Sequence, residues 1–126
     1  MSKLGTHIVA DLYGASRLDD EDFIEGVLES CAKAAGAKVL LKNTHLFTPE
    51  NGVSSLIVLM ESHVSIHTWP EKGTAAFDAF MCGAAQPRLC IPVLKQAFSP
   101  FHMHVQELPR CPPQRTVPNE TGWEFA

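Results

Sequence analysis

The sequence lacks the features of several large classes of protein. Ten Lys and Arg residues stand against 14 Asp and Glu among 126 residues, so the net charge of −4 leaves no basic excess for a nucleic-acid backbone. The longest apolar stretch, residues 53–60, contains two serines and falls far short of the ~20 residues that cross a bilayer. The first residues contain no apolar run typical of a secretory signal. We therefore expect a cytoplasmic protein that binds neither nucleic acid nor a membrane.

Cysteine is scarce and shows no scaffold pattern. The four cysteines stand at positions 31, 82, 90 and 111, and no two of them form a Cys-x-x-Cys pair. Thiols in a reducing cytoplasm stay free, so a disulfide framework is not expected. Low-complexity segments are scarce too, and 45% of the residues are hydrophobic, which is typical of a globular chain. The length predicts a single domain, residues 1–126.

Hydrophobic periodicity predicts a mixed domain of helices and strands. Alternating apolar residues predict strands over residues 6–13, 38–47, 53–60, 64–68, 74–82 and 101–108. Helical spacing predicts a first helix that follows Asp19 and Asp20 and ends at Gly36, and a second helix that starts at Pro87. The order of elements favours an α+β two-layer sandwich, in which a mainly antiparallel sheet carries both helices on one face.

Such a sandwich leaves one face of the sheet without helices. A second copy of the sheet can cover that face, so we expect the protein to dimerise. Residues 109–126 contain several prolines and show no periodicity, and the sequence predicts a flexible tail there.

The densest polar cluster of the chain is the segment 61–71, which reads ESHVSIHTWPE. On a strand, its residues His63, Ser65, His67 and Trp69 share one face. Polar residues on strands are most often hydrogen-bonded surface groups without a chemical role. The residue types alone leave open whether this face is such a surface or a reactive site.

The segment 61–71 resembles the processing motif of the small pyruvoyl-dependent S-adenosylmethionine decarboxylases of bacteria and archaea. The resemblance covers residues 4–107, and a string of this length with Trp and His at fixed places is far more specific than a short motif. Its further elements are Gly5-Thr6-His7, Phe47, Gly52-Val53-Ser54, Ala75-Ala76, Asp78, Phe80 and Cys82-Gly83. The resemblance implies decarboxylation of S-adenosylmethionine to the aminopropyl donor for spermidine biosynthesis.

The resemblance also implies that the chain is a proenzyme that cleaves itself between Glu61 and Ser62. The Ser62 hydroxyl would attack the Glu61 carbonyl, and elimination from the resulting ester would convert what remains of Ser62 into a covalent pyruvoyl group. This group forms a Schiff base with the substrate amine, so no external cofactor is needed. The products are a beta chain of residues 1–61 and an alpha chain of residues 62–126, and the implied assembly is a heterotetramer with each site near the dimer interface.

Further residues take their roles from the same resemblance. His67 matches the base of self-cleavage, Ser54 matches the residue that helps to hold the ester, and Cys82 matches the proton donor of decarboxylation. An imidazole can accept a proton near neutral pH. A free cysteine is more commonly a buried core thiol, which is the simpler interpretation of Cys31.

Phe47, His67 and Glu71 match positions that bind the substrate, through stacking on the adenine and a carboxylate on the ribose hydroxyls. The turn at residues 49–52 is one residue longer than usual, and Lys72 and Thr74 also depart from the family pattern. An alternative function is therefore decarboxylation of ornithine or arginine by a pyruvoyl group on the same scaffold.

A zinc-binding module is a second alternative. His102 and His104 lie on one face of the last predicted strand, as His63 and His67 do on another. Two histidines at this spacing are common without a metal, and no Cys-x-x-Cys accompanies them. We therefore expect no metal, and an assay for stoichiometric transition metal separates the two classes.

Overall fold

The structure is a computed structural model that describes residues 3–113 and 122–124. Its six strands form one sheet: β1 Gly5–Tyr13, β2 Val39–Phe47, β3 Gly52–Leu59, β4 Ser62–Trp69, β5 Thr74–Cys82 and β6 His102–Arg110. The strand order is β2-β3-β4-β5-β1-β6, and every neighbouring pair is antiparallel. The α-helices are α1 Glu21–Ala35 and α2 Cys90–Phe98, with short 3-10 turns at Pro70–Lys72 and Pro87–Leu89. The predicted α+β fold is confirmed.

The core lies between the two helices and one face of the sheet. The Asp20 side chain accepts a hydrogen bond from the Phe23 amide at 3.1 Å and caps α1, which ends at Gly36 in the left-handed conformation with φ of 84°. Every second residue of the central strands is buried against the helices. The largest fully buried side chains include Ile8, Leu12, Ile57, Leu59, Ile66 and Met81 on the strands and Leu94 and Phe98 on α2. Each contributes roughly 1.5–3 kcal/mol through removal of its surface from water.

The opposite face of the sheet, which we call the open face, is covered by no element among the described residues. The alternation is clear on β4, where Val64 and Ile66 are fully buried while His67 and Trp69 are exposed. The open face also exposes large apolar side chains, among them Leu56 and Leu108. That a second copy of the chain covers the open face stays a prediction.

Some elements extend beyond their predicted ends. β4 starts at Ser62 rather than at residue 64, because β3 pairs with it from Ser62 and β5 pairs with it from His63. β6 continues through Pro109 to Arg110, two residues that the sequence assigned to the tail. β6 is an edge strand, where a proline costs no ladder hydrogen bond on its free side. The remainder of the predicted tail lies largely outside the described residues.

No helix of residues 3–113 and 122–124 has the length and apolar character that a membrane span requires.

Candidate active site

The turn between β3 and β4 carries the predicted cleavage point. Met60 and Glu61 join the two strands, whose last cross-strand pair is Leu59 with Ser62. Glu61 has φ of 63°, in the left-handed region that a residue other than glycine adopts at a cost of roughly 1–3 kcal/mol. The Glu61–Ser62 peptide bond therefore directly follows a strained residue.

Cys82 lies against this turn. It is the last residue of β5, and its half-buried thiol donates a hydrogen bond to the Glu61 carbonyl oxygen at 3.0 Å. The alternation of β5 places Ala76, Asp78, Phe80 and Cys82 on the open face. The structure thus brings a thiol to the carbonyl that the predicted self-cleavage attacks.

Ser54 and His67 form a second pair on the open face. They are cross-strand partners on β3 and β4, and Ser54 Oγ lies 2.8 Å from His67 Nδ1. The same register separates them from the cleavage point: His67 is five residues along β4 from Ser62, or about 16 Å at the rise of an extended strand. The sequence placed these residues in one site, but a single chain does not bring His67 to Ser62.

The predicted substrate residues Phe47, His67 and Glu71 line one cavity of about 240 Å³, together with Ser54 and Trp69. The longer turn after β2 does not displace Phe47, which stays in register with Gly52. A side chain at residue 52 would meet the Thr68 carbonyl oxygen at 2.8 Å, so glycine is needed there for close approach of the strands. The Phe47 ring is 52% exposed and so is available for stacking on a ligand.

A third group of polar side chains was not predicted. Asp78 Oδ2 lies 2.7 Å from His7 Nε2 and 3.1 Å from His63 Nε2, and Ser65 Oγ donates to Asp78 Oδ1. Burial raises the pKa of Asp78, but the hydrogen bonds from Ser65, His7 and His63 outweigh it, so the pKa lies below its usual value. Strand parity in the sequence places these residues on one face, but His7 is 71 residues from Asp78, and only the strand order brings β1 beside β5.

The protonation of His7 argues against a metal in this group. Three ligand atoms, from His7, His63 and Asp78, lie within 4.8 Å of one another. However, Arg110 Nη1 lies 2.7 Å from His7 Nδ1, and an arginine is always a donor. His7 Nδ1 is therefore the acceptor and Nε2 carries the proton that Asp78 accepts, so Nε2 has no lone pair for a metal.

The histidines of the zinc alternative do not form one site. His102 and His104 are on β6, which is three strand positions from β4, or about 14 Å at the usual strand spacing. His102 stacks on Tyr13 instead, with ring centroids 5.9 Å apart. The pairing of these histidines with His63 and His67 as ligands of one metal is therefore wrong.

Cys31 and Cys90 are core thiols. Both are fully buried, and each thiol points at the backbone carbonyl oxygen of the other, at 3.9 and 3.6 Å. The hydrogen bond with Cys90, together with burial, raises the pKa of Cys31, so its reactive thiolate is disfavoured. Cys111 is exposed. Cys82 alone of the four cysteines contacts the cleavage turn.

Comparison with known proteins shows likeness over nearly the whole chain. The sequence profile of the family described as S-adenosylmethionine decarboxylase matches residues 6–111. An S-adenosylmethionine decarboxylase proenzyme of Methanococcus maripaludis is 42% identical over 113 residues, which are 87% of this chain and 92% of the relative. One of Thermomicrobium roseum is 39% identical over 111 residues, 87% of this chain and 96% of the relative. The crystal structure of the adenosylmethionine decarboxylase from Aquifex aeolicus is similar with a TM-score of 0.78 and 29% identity, covering 94% of this chain and 100% of that one.

Proposed function

The chain belongs to the S-adenosylmethionine decarboxylase family, and we propose that it cleaves itself between Glu61 and Ser62 and then decarboxylates S-adenosylmethionine. It is a self-processing, pyruvoyl-dependent enzyme that makes the aminopropyl donor of spermidine biosynthesis. The relatives that the comparisons name give no support to ornithine or arginine as substrate. The observation that carries the proposal is the contact of the Cys82 thiol with the Glu61 carbonyl, beside Ser62.

Self-cleavage uses groups that already lie at the turn. Ser62 Oγ attacks the Glu61 carbonyl carbon, the peptide C–N bond breaks as the ester forms, and the nitrogen of Ser62 takes up a proton. Loss of the Ser62 alpha proton then breaks the Cβ–Oγ bond and releases Glu61 as a carboxylate. Water replaces the nitrogen, which leaves as ammonia. The hydrogen bond from Cys82 stabilises the negative charge that forms on the Glu61 oxygen during the attack.

The base of this reaction comes from a second copy of the chain in our proposal. His67 is too far from Ser62 in one chain: His67 lies on the open face, whereas Ser62 is the first residue of β4, at the margin of the sheet. A second sheet packed on the open face brings the His67 and Ser54 of one copy toward the Ser62 of the other. The exposed apolar side chains of the open face support this association. The resulting assembly is the heterotetramer of two beta and two alpha chains.

Coexpression of two inactive variants tests this arrangement. We expect His67→Ala and Ser62→Ala each to stay uncleaved when expressed alone. In a mixed dimer, the intact His67 of the Ser62→Ala chain meets the intact Ser62 of the His67→Ala chain. Cleavage of the His67→Ala chain alone is therefore expected, read by intact mass with a distinguishing tag on each chain. If neither chain is cleaved in purified mixed dimers, His67 does not act across the interface.

Decarboxylation uses the same site of the assembly after cleavage. The pyruvoyl group supplies the electron sink that loss of a carboxylate requires. Ser62, from which the group derives, lies next to Cys82, whose thiol is placed to return a proton to the substrate carbon. The cavity of Phe47, His67 and Glu71 of the second copy, which comes toward Ser62 together with that copy's His67, holds the adenosyl part, with the ring of Phe47 on the adenine and the carboxylate of Glu71 on the ribose hydroxyls.

Release of labelled carbon dioxide tests the substrate. The cleaved enzyme is expected to use S-adenosylmethionine in strong preference to ornithine and arginine. Glu71→Gln is expected to lower kcat/KM for S-adenosylmethionine roughly 10- to 100-fold, since a hydrogen bond to a charged group contributes about 1.5–3 kcal/mol. Phe47→Ala loses about 0.5–1.5 kcal/mol of stacking beyond its contact area, or roughly 2- to 10-fold.

Self-cleavage is the internal control for these variants, because neither side chain lies at the cleavage turn. Glu29→Gln on α1, in the layer opposite the open face, is the matched control for loss of a carboxylate. Faster release from ornithine or arginine would contradict the proposed substrate. The cytoplasmic location, and the absence of nucleic acid and membrane as partners, stay predictions from the sequence.

A further inference from the structure

We propose that Asp78 and His63 are positioning residues that hold the start of the alpha chain in the cleaved enzyme, so that the pyruvoyl end stays beside Cys82. This inference rests on the proposed self-cleavage. We call the group formed by His63, Asp78 and Phe80 the clamp.

The need for a clamp follows from the strand register. Before cleavage, Ser62 is held in the β3–β4 turn by its covalent bond to Glu61. After cleavage, residue 62 is a chain end at the margin of the sheet. The pairing of β4 with β5 begins only at His63, opposite Phe80, so residue 62 has no register partner on the strand that carries Cys82. Chain ends that are not tied down fray.

The side chain of His63 supplies the missing link to β5. Its Nε2 lies 3.1 Å from Asp78 Oδ2, and its ring stacks on Phe80 with centroids 6.2 Å apart and an interplanar angle of 28°. His63 directly follows the reactive residue Ser62, and Phe80 is two residues from Cys82 on the same face, about 7 Å along the strand. The clamp therefore fixes the first residue of the alpha chain that pairs with β5 to the strand that carries the thiol.

Asp78 is itself held rigidly enough to serve this purpose. Ser65 donates to one carboxylate oxygen, and His7 donates to the other at 2.7 Å. His7 is oriented in turn by Arg110 on the neighbouring edge strand and packs edge-on against Phe80 at 5.8 Å. A carboxylate with three donors has a single well-defined position, which is the property that a positioning residue needs.

Asp78→Asn tests the clamp, because the amide nitrogen places donors where imidazole donors already point. We expect the variant to cleave itself at the wild-type rate, since the covalent turn still holds Ser62 in the precursor. The mature variant is expected to show a lower kcat with little change in KM. More alpha chains are expected to end in alanine per turnover, through protonation at the wrong carbon, and N-terminal sequencing detects them because a pyruvoyl end blocks it.

Hydrogen exchange gives a readout that does not depend on activity. In the mature Asp78→Asn variant, exchange of the amides at residues 63–65 is expected to rise about tenfold or more, which corresponds to loss of one hydrogen bond to a charged group. Asp11→Asn, the same change at an exposed carboxylate on the open face of β1, is the matched control and is expected to behave as wild type.

A second variant separates the clamp from folding. His63→Phe keeps a ring against Phe80 but cannot donate, and it is expected to reproduce the Asp78→Asn effects, with the double variant no worse than either single one. If Asp78→Asn does not fold, His63→Phe carries the same measurements. If both variants show the kcat, the alanine formation and the amide exchange of wild type, the clamp is overturned while the proposed self-cleavage stands. A wild-type chain that never cleaves would overturn the proposed self-cleavage as well.

Discussion

Ser62→Ala is expected to remain a single uncleaved chain that releases no carbon dioxide from S-adenosylmethionine. The substitution removes the hydroxyl that attacks the Glu61 carbonyl, and no other group can become the pyruvoyl end. It removes one oxygen atom from a half-buried position, so the fold is expected to be retained. Denaturing electrophoresis and intact mass decide the result: wild type gives residues 1–61 and 62–126, and the variant gives one chain of 126 residues.

The control for this variant is Ser30→Ala on α1, an exposed serine whose hydroxyl donates to the Gly26 carbonyl within its own helix. It is expected to cleave and turn over as wild type. Two fragments from Ser62→Ala, separated at the same place, would show that Ser62 is not the nucleophile.

Cys82→Ala is expected to cleave itself and yet to lose sustained turnover. Self-cleavage loses only the thiol hydrogen bond to Glu61, which slows it roughly 2- to 10-fold if it contributes as an ordinary hydrogen bond. Decarboxylation loses its proton donor, and general acids contribute about 10²- to 10⁴-fold to kcat. Electrophoresis measures the rate of self-cleavage, and single-turnover release of labelled carbon dioxide measures decarboxylation. Together they separate the two effects.

Progressive inactivation is the second signature of Cys82→Ala. Without the thiol, the carbanion left after loss of carbon dioxide is protonated more often on the pyruvoyl side, and hydrolysis then leaves an alanine end on the alpha chain. N-terminal sequencing after turnover measures this conversion. Cys111→Ala, an exposed thiol that follows β6, two strand positions from β5, is the control. Wild-type turnover by Cys82→Ala, without inactivation, would move the proton-donor role to another residue.

The parts of the fold that depend on neighbours along the chain were predictable. Apolar alternation located the strands, and the acidic cap and the terminal glycine of α1 were readable because a helix end is satisfied by residues within one turn of it. The turn between β2 and β3 was readable from its proline and its Asn-Gly pair. The extension of β6 through Pro109 was not, because only its position at the sheet edge makes a proline acceptable there.

The roles proposed for Ser62, Ser54, His67 and Cys82 came from the sequence, through a string of residues too specific for chance, and they stay predictions until the variants are made. The contact between Cys82 and Glu61 was not readable from that string, since it depends on the register of β4 with β5.

The sequence by itself determined which residues face which side of the sheet, because the side-chain period of a strand is a local property. Only the tertiary structure decided which of those residues meet. It paired Ser54 with His67 across two strands and joined Asp78 to His7 across 71 residues. The physical reason is that contacts between strands depend on their order and register, which arise from packing the whole core and not from any one segment.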